Sequence, residues 1–298
     1  MAEIKRTKAN LILTTNRVLT GYTLRVLIGI LGAFIGLILT VLLTAPDSKL
    51  HVKFFNVGEG DSIFVKTPSN YKVLIDGGPD NRVLQYLGSE LPFYDRKIDL
   101  IISTHPHADH LTGLLEVVKR YQIGQVWLEA VPYKSDLYQS WLKILQKEKI
   151  KVGRPKVGDY LNFGDGVTLK ILWPLDLKLA TEEEVNETSI VSLLTFGQFS
   201  ALLSGDAGEK SQPYYQNSIT VLKVPHQGAG TALKEEFLKK LSPTMSIISL
   251  GQSNKYGHPA KETLMELESV HSKVFRTDRN GSVEVVSDGR TWYTRAER

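Results

Sequence analysis

The sequence predicts an α+β fold behind one N-terminal membrane helix, and three observations carry that expectation. An 18-residue apolar run, Val26 to Leu43, precedes any strand-like pattern. From Leu50 onward, short runs of β-branched and aromatic residues are separated by Gly, Pro, Ser and Asn, which is how strands and turns read. Strands come first, then strands mixed with helix-length stretches, twice over. That order suggests two sheets packed face to face with helices outside. Periodicity by itself goes no further than a mixed α and β chain.

The N-terminal run contains no charge and one polar residue, Thr40. At 1.5 Å per residue it spans roughly 27 Å, close to the hydrocarbon thickness of a bilayer. It is longer than the apolar stretch of a signal peptide, and Pro46 after Ala45 hinders cleavage there. The run therefore reads as a retained anchor over 24–45, following a cytoplasmic tail over 1–23. Lys5, Arg6, Lys8, Arg17 and Arg25 precede or open it against Glu3 alone, and Asp47 follows. Positive-inside logic puts the N-terminus in the cytoplasm and the body outside a single-pass membrane segment. Gly32 and Gly36 form a small-residue pair that can let two such helices approach as a weak homodimer, although glycine is common in membrane helices.

Those charges also account for the net +4 and the pI of 9.0. The remainder is balanced, so the body is not an obvious polyanion binder by charge. Hydrophobic content of 42% suffices for a packed core. The absence of cysteine excludes disulfides and thiolate metal sites.

The body, 46–298, is taken in order. Leu50 to Val57, Ser62 to Lys66 and Tyr71 to Ile75 read as an antiparallel meander, with Gly58-Glu59-Gly60-Asp61 as a turn. Asn81 to Ser89 reads as helix and Ile98 to Ser103 as a buried strand. A helix over Leu111 to Tyr121, a strand over Gln125 to Leu128 and a helix over Asp136 to Lys149 follow. Strands are expected near Lys151, near Tyr160 and over Val167 to Leu172. Acidic residues 176–188 read as a solvated loop or helix end. Ile190 to Phe196 and Phe199 to Ser204 form a hairpin around Gly197-Gln198. Strands over Ile219 to Val224 and Met245 to Leu250, helices over Leu233 to Leu241 and Lys261 to Val270, and three C-terminal strands complete the chain.

Chemistry concentrates in Ser103-Thr104-His105-Pro106-His107-Ala108-Asp109-His110, where three of the seven histidines fall within six positions. Imidazole and carboxylate are the usual ligands of zinc and similar divalent ions. A strand end that breaks into a loop can aim successive side chains at one point, which a regular strand cannot. His105 and His107 can then meet one ion, and Asp109 and His110 a second. Other strand ends carry further candidates: Asp76 after Ile75, Asp206 after Ser204-Gly205, His226 after Pro225, and His258 in Tyr256-Gly257-His258-Pro259. Each has a plainer reading as a turn or structural residue. His51 alternates with Lys53 on the polar side of its strand and reads as surface. His271 reads as a helix C-terminal cap.

The run His105-x-His107-x-Asp109-His110 resembles the signature of the metallo-β-lactamase superfamily. The resemblance implies a four-layer αββα sandwich and a hydrolase with two divalent ions, zinc with manganese as the alternative. It makes Asp206 a bridging carboxylate, His226 a late ligand of the second metal, and Asp76 an acceptor that orients the metal loop. His258 contacts substrate, donates a proton or completes a metal shell. The superfamily's third histidine of the first metal is missing, since no histidine occurs between Leu111 and Pro225. Asn186, Glu187 or Ser189 stands there, with Asn186 or water completing the shell.

Val57-Gly58-Glu59-Gly60-Asp61-Ser62 resembles the Val-Gly-Gln-Gly-Asp-Ser motif of one branch, the DNA-internalisation competence proteins of the ComEC kind. Leu74-Ile75-Asp76-Gly77-Gly78, Asn186-x-x-Ser189, Leu202-Leu203-Ser204-Gly205-Asp206 and Lys223-Val224-Pro225-His226 fit the same branch in order. Where that branch has His-His-Gly-Ser, this chain has His226-Gln227-Gly228-Ala229. A single membrane span replaces the branch's multi-pass channel, so DNA transport is not expected. The implied activity is an extracytoplasmic two-metal phosphodiesterase on an anionic diester, teichoic acid-like or DNA, with Asp109 and His258 as catalytic residues. The alternative is a non-catalytic metal-binding or cell-wall-binding module.

Overall fold

The computed structural model describes residues 22–38, 40–41, 46–129, 131–174, 182–215, 217–252 and 254–298. The chain divides after Ala45 into two compact units. In the first, residues 22–38 and 40–41 are helical, with exposed apolar side chains such as Leu27, Ile28 and Phe34. The Thr40 hydroxyl donates to the Gly36 carbonyl at 2.8 Å, which satisfies its polar group within the helix. Open space surrounds Gly32 and Gly36 where a Cβ would stand. Among the described residues no helix is long and apolar enough to cross a membrane. The expected tail up to Gly21, and Leu39 and 42–45 of the expected span, lie outside the described residues.

The second unit contains two sheets. Strands β1 (Leu50–Phe54), β2 (Ile63–Lys66), β3 (Lys72–Ile75), β4 (Lys97–Ser103), β5 (Gln122–Leu128) and β6 (Lys151–Gly153) build one, joined on its far edge by β14 (Val283–Ser287) and β15 (Trp292–Ala296). The other holds β7 (Tyr160–Asn162), β8 (Val167–Trp173), β9 (Val191–Phe196), β10 (Phe199–Leu203), β11 (Val221–Lys223), β12 (Met245–Ile248) and β13 (Lys273–Arg276). Each sheet changes from antiparallel to parallel pairing partway across. The first does so between β3 and β4, the second between β10 and β11.

Side-chain alternation then makes the layers. Val73 and Ile75 of β3, and Ala201 and Leu203 of β10, meet in the core between the sheets. Leu74 and Leu202, one residue out of phase, face outward. Leu74 packs under helices α1 (Arg82–Glu90), α2 (Ala108–Val117) and α3 (Asp136–Lys147) through Leu87, Leu114 and Trp141. Leu202 shares the opposite outer core with Leu238 of α4 (Glu235–Leu241) and Leu267 of α5 (Lys261–Ser269). Helix α6 (Thr277–Asn280) is a single turn before β14. The layers are helix, sheet, sheet, helix, as the resemblance implies.

Two local expectations change. Helix α2 begins at Ala108, not Leu111, so Asp109 and His110 stand on its first turn and not in a loop. His51 is not free surface. Its side chain is 13% exposed, with Nδ1 2.7 Å from Glu284 and Nε2 3.0 Å from Asp47.

Candidate metal centre

The parallel strands end at one rim of the sandwich, and each end delivers polar residues there. Strand β3 releases Asp76, β4 releases Thr104 to His107, β10 releases Asp206, and β11 releases His226 and Gln227. Main-chain bonds lock the first two together: Asp76 N–H donates to Ile102 at 2.9 Å and Gly77 N–H to His110 at 2.7 Å. The Asp76 carboxylate, fully buried, accepts from Thr104 N–H at 2.8 Å and the Thr104 hydroxyl at 2.6 Å. Its second oxygen also lies 2.8 Å from His110 Nδ1. A buried carboxylate with three such contacts fixes the loop from behind and turns His110 Nε2 forward.

His105 is set the same way. Its Nδ1 lies 3.1 Å from Thr104 Oγ1 and 3.2 Å from Ser189 Oγ. Ser189 also accepts from Asp206 N–H at 3.1 Å, so one hydroxyl joins both partners. In front, His110 Nε2 is 3.3 Å and His105 Nε2 3.8 Å from Asp206 Oδ2. One donor atom from each of His105, His110 and Asp206 lies within 4.8 Å of the others. His105 Nε2, His110 Nε2 and Asp206 Oδ1 are buried without a hydrogen-bond partner. Buried polar atoms are nearly always satisfied, so three orphans converging on one point fit a divalent cation.

Electrostatics agree with such a basket. Burial holds His105 well below its ordinary pKa, helped by the charge of His110. Burial opposes charge on His110 as well, but Asp206, Asp109 and Asp76 outweigh it and hold its pKa well above the ordinary value. Asp206 would be raised by burial, yet His110 and His105 hold it well below the usual carboxylate range.

The remaining predicted residues surround this group in a cleft of about 530 Å³. His107 lines it, half-buried, with its ring 4.8 Å from that of His105 and 5.7 Å from Tyr133. Asp109 Oδ2 lies 3.6 Å from His110 Nε2. His226 stands on the opposite wall, 5.8 Å ring to ring from His258. Asn186 sits on a 3-10 turn over Glu182–Thr188, its Nδ2 3.5 Å from His226 Nε2 and its Oδ1 buried and unpartnered. All nine predicted site residues thus lie at one rim. The tight trio pairs His105 with His110, not with His107. His271 lies apart, past the end of α5, with its N–H donated to Glu268 at 2.9 Å.

Three participants escape sequence reasoning. Gln227 donates to Asp109 Oδ2 at 3.0 Å. Asp61, read as a turn residue, is buried and forms an ion pair with buried Lys223 at 2.7 Å. Burial holds its carboxyl above the usual range, with Lys223 opposing. A lysine inside Val221-Leu222-Lys223-Val224 was the available signal, since lysine is almost never fully buried without a partner. Glu59 lines the cleft, its pKa raised by burial and by Asp109.

The family model described as Metallo-beta-lactamase superfamily matches residues 55–251. ComE operon protein 3 of Bacillus subtilis is 28% identical over 263 residues, covering 80% of this chain and 33% of that protein. Recombination protein 2 of Haemophilus influenzae is 27% identical over 271 residues, covering 87% and 32% respectively. This chain therefore spans about a third of the length of these curated relatives. Among solved structures, the diiron β-hydroxylase CmlA of Streptomyces venezuelae matches with a TM-score of 0.53 at 17% identity, over 78% of this chain and 53% of that one. The metallo-beta-lactamase fold protein YhfI of Bacillus subtilis matches with a TM-score of 0.52 at 15% identity, over 79% and 100%. Those two likenesses speak for the fold. With the family match across the sheets and the metal loop, this chain belongs to the metallo-β-lactamase superfamily and is related to the competence proteins ComE operon protein 3 and Recombination protein 2.

Proposed function

We propose that the chain is a metal-dependent phosphodiesterase, anchored in the cell membrane by its N-terminal helix, with the body extracellular. Its proposed substrate is an anionic diester of a wall polymer of the teichoic acid kind or of nucleic acid. The observation that carries this reading is the convergence of His105, His110 and Asp206, whose His105 Nε2, His110 Nε2 and Asp206 Oδ1 are buried and unpartnered, where Asp206 lines an open cleft. In this proposal His105, His107 and Asp206 would hold one divalent ion, and Asp109, His110, Asp206 and His226 would hold a second. A zinc or manganese ion bound there would supply Lewis acidity toward phosphoryl oxygens and water.

The chain's own residues do the rest. Asp109, partly exposed at the cleft, accepts a hydrogen bond from the attacking water and orients it. Lys255 at the rim adds positive charge toward an anionic ester. Burial and neighbouring His226 hold His258 below its ordinary pKa. That suits a neutral imidazole donating a hydrogen bond to a substrate oxygen better than a standing imidazolium acid. Divalent ions held in this polar cleft would favour an anionic diester over a neutral lactam.

The missing histidine between Leu111 and Pro225 favours a second reading, a metal-binding module without turnover. One experiment separates the two. The full chain in detergent is assayed for bound metal and for hydrolysis of bis-p-nitrophenyl phosphate, beside Asp109→Ala. Turnover that falls at least about a hundredfold in a folded Asp109→Ala variant is expected. Metal binding with no turnover by the unmutated chain supports the module; unchanged turnover in Asp109→Ala sinks the proposed mechanism.

A further inference from the structure

We propose that Gln227 is a positioning residue for Asp109, fixing its carboxylate toward the metal basket from the opposite wall of the cleft. This rests on the metal-dependent reading above. The two residues are 118 positions apart, on α2 and on the turn after β11, and the contact between Gln227 Nε2 and Asp109 Oδ2 is 3.0 Å. Only the amide N–H₂ can donate to a carboxylate, so the contact sets which way the amide faces. Its Oε1 then points elsewhere, buried and without a protein partner.

The backbone at this point is unusual. His226, Gln227 and Gly228 have successive φ values of 47°, 54° and 78°. Left-handed conformation is strained for a residue with a Cβ, and glycine relieves that strain. Two side chains are nevertheless kept here, and both face the same cleft. Surrounding contacts enforce the turn. Ala260 N–H donates to Gly228 at 2.8 Å and Ala229 N–H to His226 at 2.9 Å. A Cβ on Gly228 would stand 2.7 Å from Pro259 Cβ. Strain held in place by neighbours is typical of functional segments.

Asp109 needs such a clamp. Its side chain is 31% exposed, and the carboxylate of Glu59 lines the same cleft. Repulsion between the two would turn Asp109 outward, whereas the Gln227 amide holds Oδ2 3.6 Å from His110 Nε2. A glutamine amide is not among the usual zinc ligands, so Gln227 acts through Asp109 and not on the ion. A histidine at this place could do either.

The test is calorimetric zinc titration of the full chain in detergent, with Gln227→Gly, Gln227→Glu, Asp109→Ala and the Asp109→Ala/Gln227→Gly pair. Glycine keeps the left-handed turn and removes the amide; glutamate keeps the shape and replaces the donor with a charge. Both single variants should weaken the Asp109-dependent binding step about 10- to 100-fold, the usual cost of losing an outer partner. Diester kcat should fall with it, with no loss of melting temperature in metal-free Gln227→Gly. The double variant should bind like Asp109→Ala alone. Wild-type zinc binding in Gln227→Gly, or effects that multiply in the double variant, would overturn the proposal. Normal coupling without diester turnover in the unmutated chain leaves the clamp standing and removes the phosphodiesterase. A chain that binds no zinc overturns both.

Discussion

At the scale of single residues, the second oxygen of Asp76 lies 2.8 Å from His110 Nδ1. With Nδ1–H facing that carboxylate, any further proton on His110 resides on Nε2, the atom that faces Asp206. Burial works against the imidazolium, but Asp206, Asp109 and Asp76 hold its pKa well above the ordinary value. His105 is the reverse, kept neutral by burial and by charge on His110. The first ion to enter must therefore displace a proton from His110 and none from His105. In the metal-free chain a raised-pKa histidine contributes stability that is fully present below about pH 6.5, its unfolded value, and lost as pH rises through the raised folded pKa. Zinc affinity runs the other way, rising across that same window. Calorimetric titrations near pH 7 in buffers of different ionisation enthalpy should give zinc-binding enthalpies that differ by about one proton's worth. Identical enthalpies in all buffers would rule out the displaced proton.

Among elements, the critical contact is between the turn after β3 and the first turns of α2. Gly77 N–H reaches His110 at 2.7 Å and Gly113 N–H reaches Gly78 at 3.0 Å. A Cβ on Gly113 would stand 2.0 Å from the Gly77 carbonyl oxygen, an approach that backbone atoms cannot absorb. Helix propensity favours alanine over glycine by about 1 kcal/mol, but the clash pushes α2 off the sheet edge and moves Asp109 and His110 with it. Gly113→Ala should therefore destabilise the metal-free chain by about 1–3 kcal/mol, as overpacking does. It should also weaken zinc binding, both read from denaturant unfolding with and without metal. A neutral or stabilised variant would show the contact to be looser. This is also where the sequence stopped being legible. Strand alternation and the Gly197-Gln198 hairpin could be read because their partners are near in sequence and their pattern is apolar. The start of α2 could not, because His107-Ala108-Asp109-His110 carries no apolar period and looks like loop. The ligand candidates were readable from residue type at strand ends. The contacts that hold them, Gln227 to Asp109 and Lys223 to Asp61, join residues 118 and 162 positions apart and leave no local trace.

At the scale of the whole molecule, among the described residues every strand, the three hydrophobic clusters and the candidate metal centre fall within 46–298, the second of the two compact units. The body should accordingly fold and bind zinc without the first 45 residues. The N-terminal unit makes a separate demand. Large apolar side chains from Leu24 to Val41 are exposed on its helix, and full burial of each is worth about 1.5–3 kcal/mol. Even partial burial of the set in lipid amounts to more than 10 kcal/mol. The five basic residues of the segment, at about 1 kcal/mol each on an anionic surface, are the smaller contribution and the one that salt screens. The apolar contribution decides, so membrane association should resist salt. In fractionated cells the full chain should sediment with membranes, stay there through a 1 M salt wash and come off only with detergent, while 46–298 alone stays in the soluble fraction with its zinc stoichiometry unchanged. Added protease should digest the body on intact spheroplasts if it faces outward. Release of the full chain by salt would mean a surface-bound helix held mainly by charge, and protection of the body from protease would place the metal centre on the cytoplasmic side.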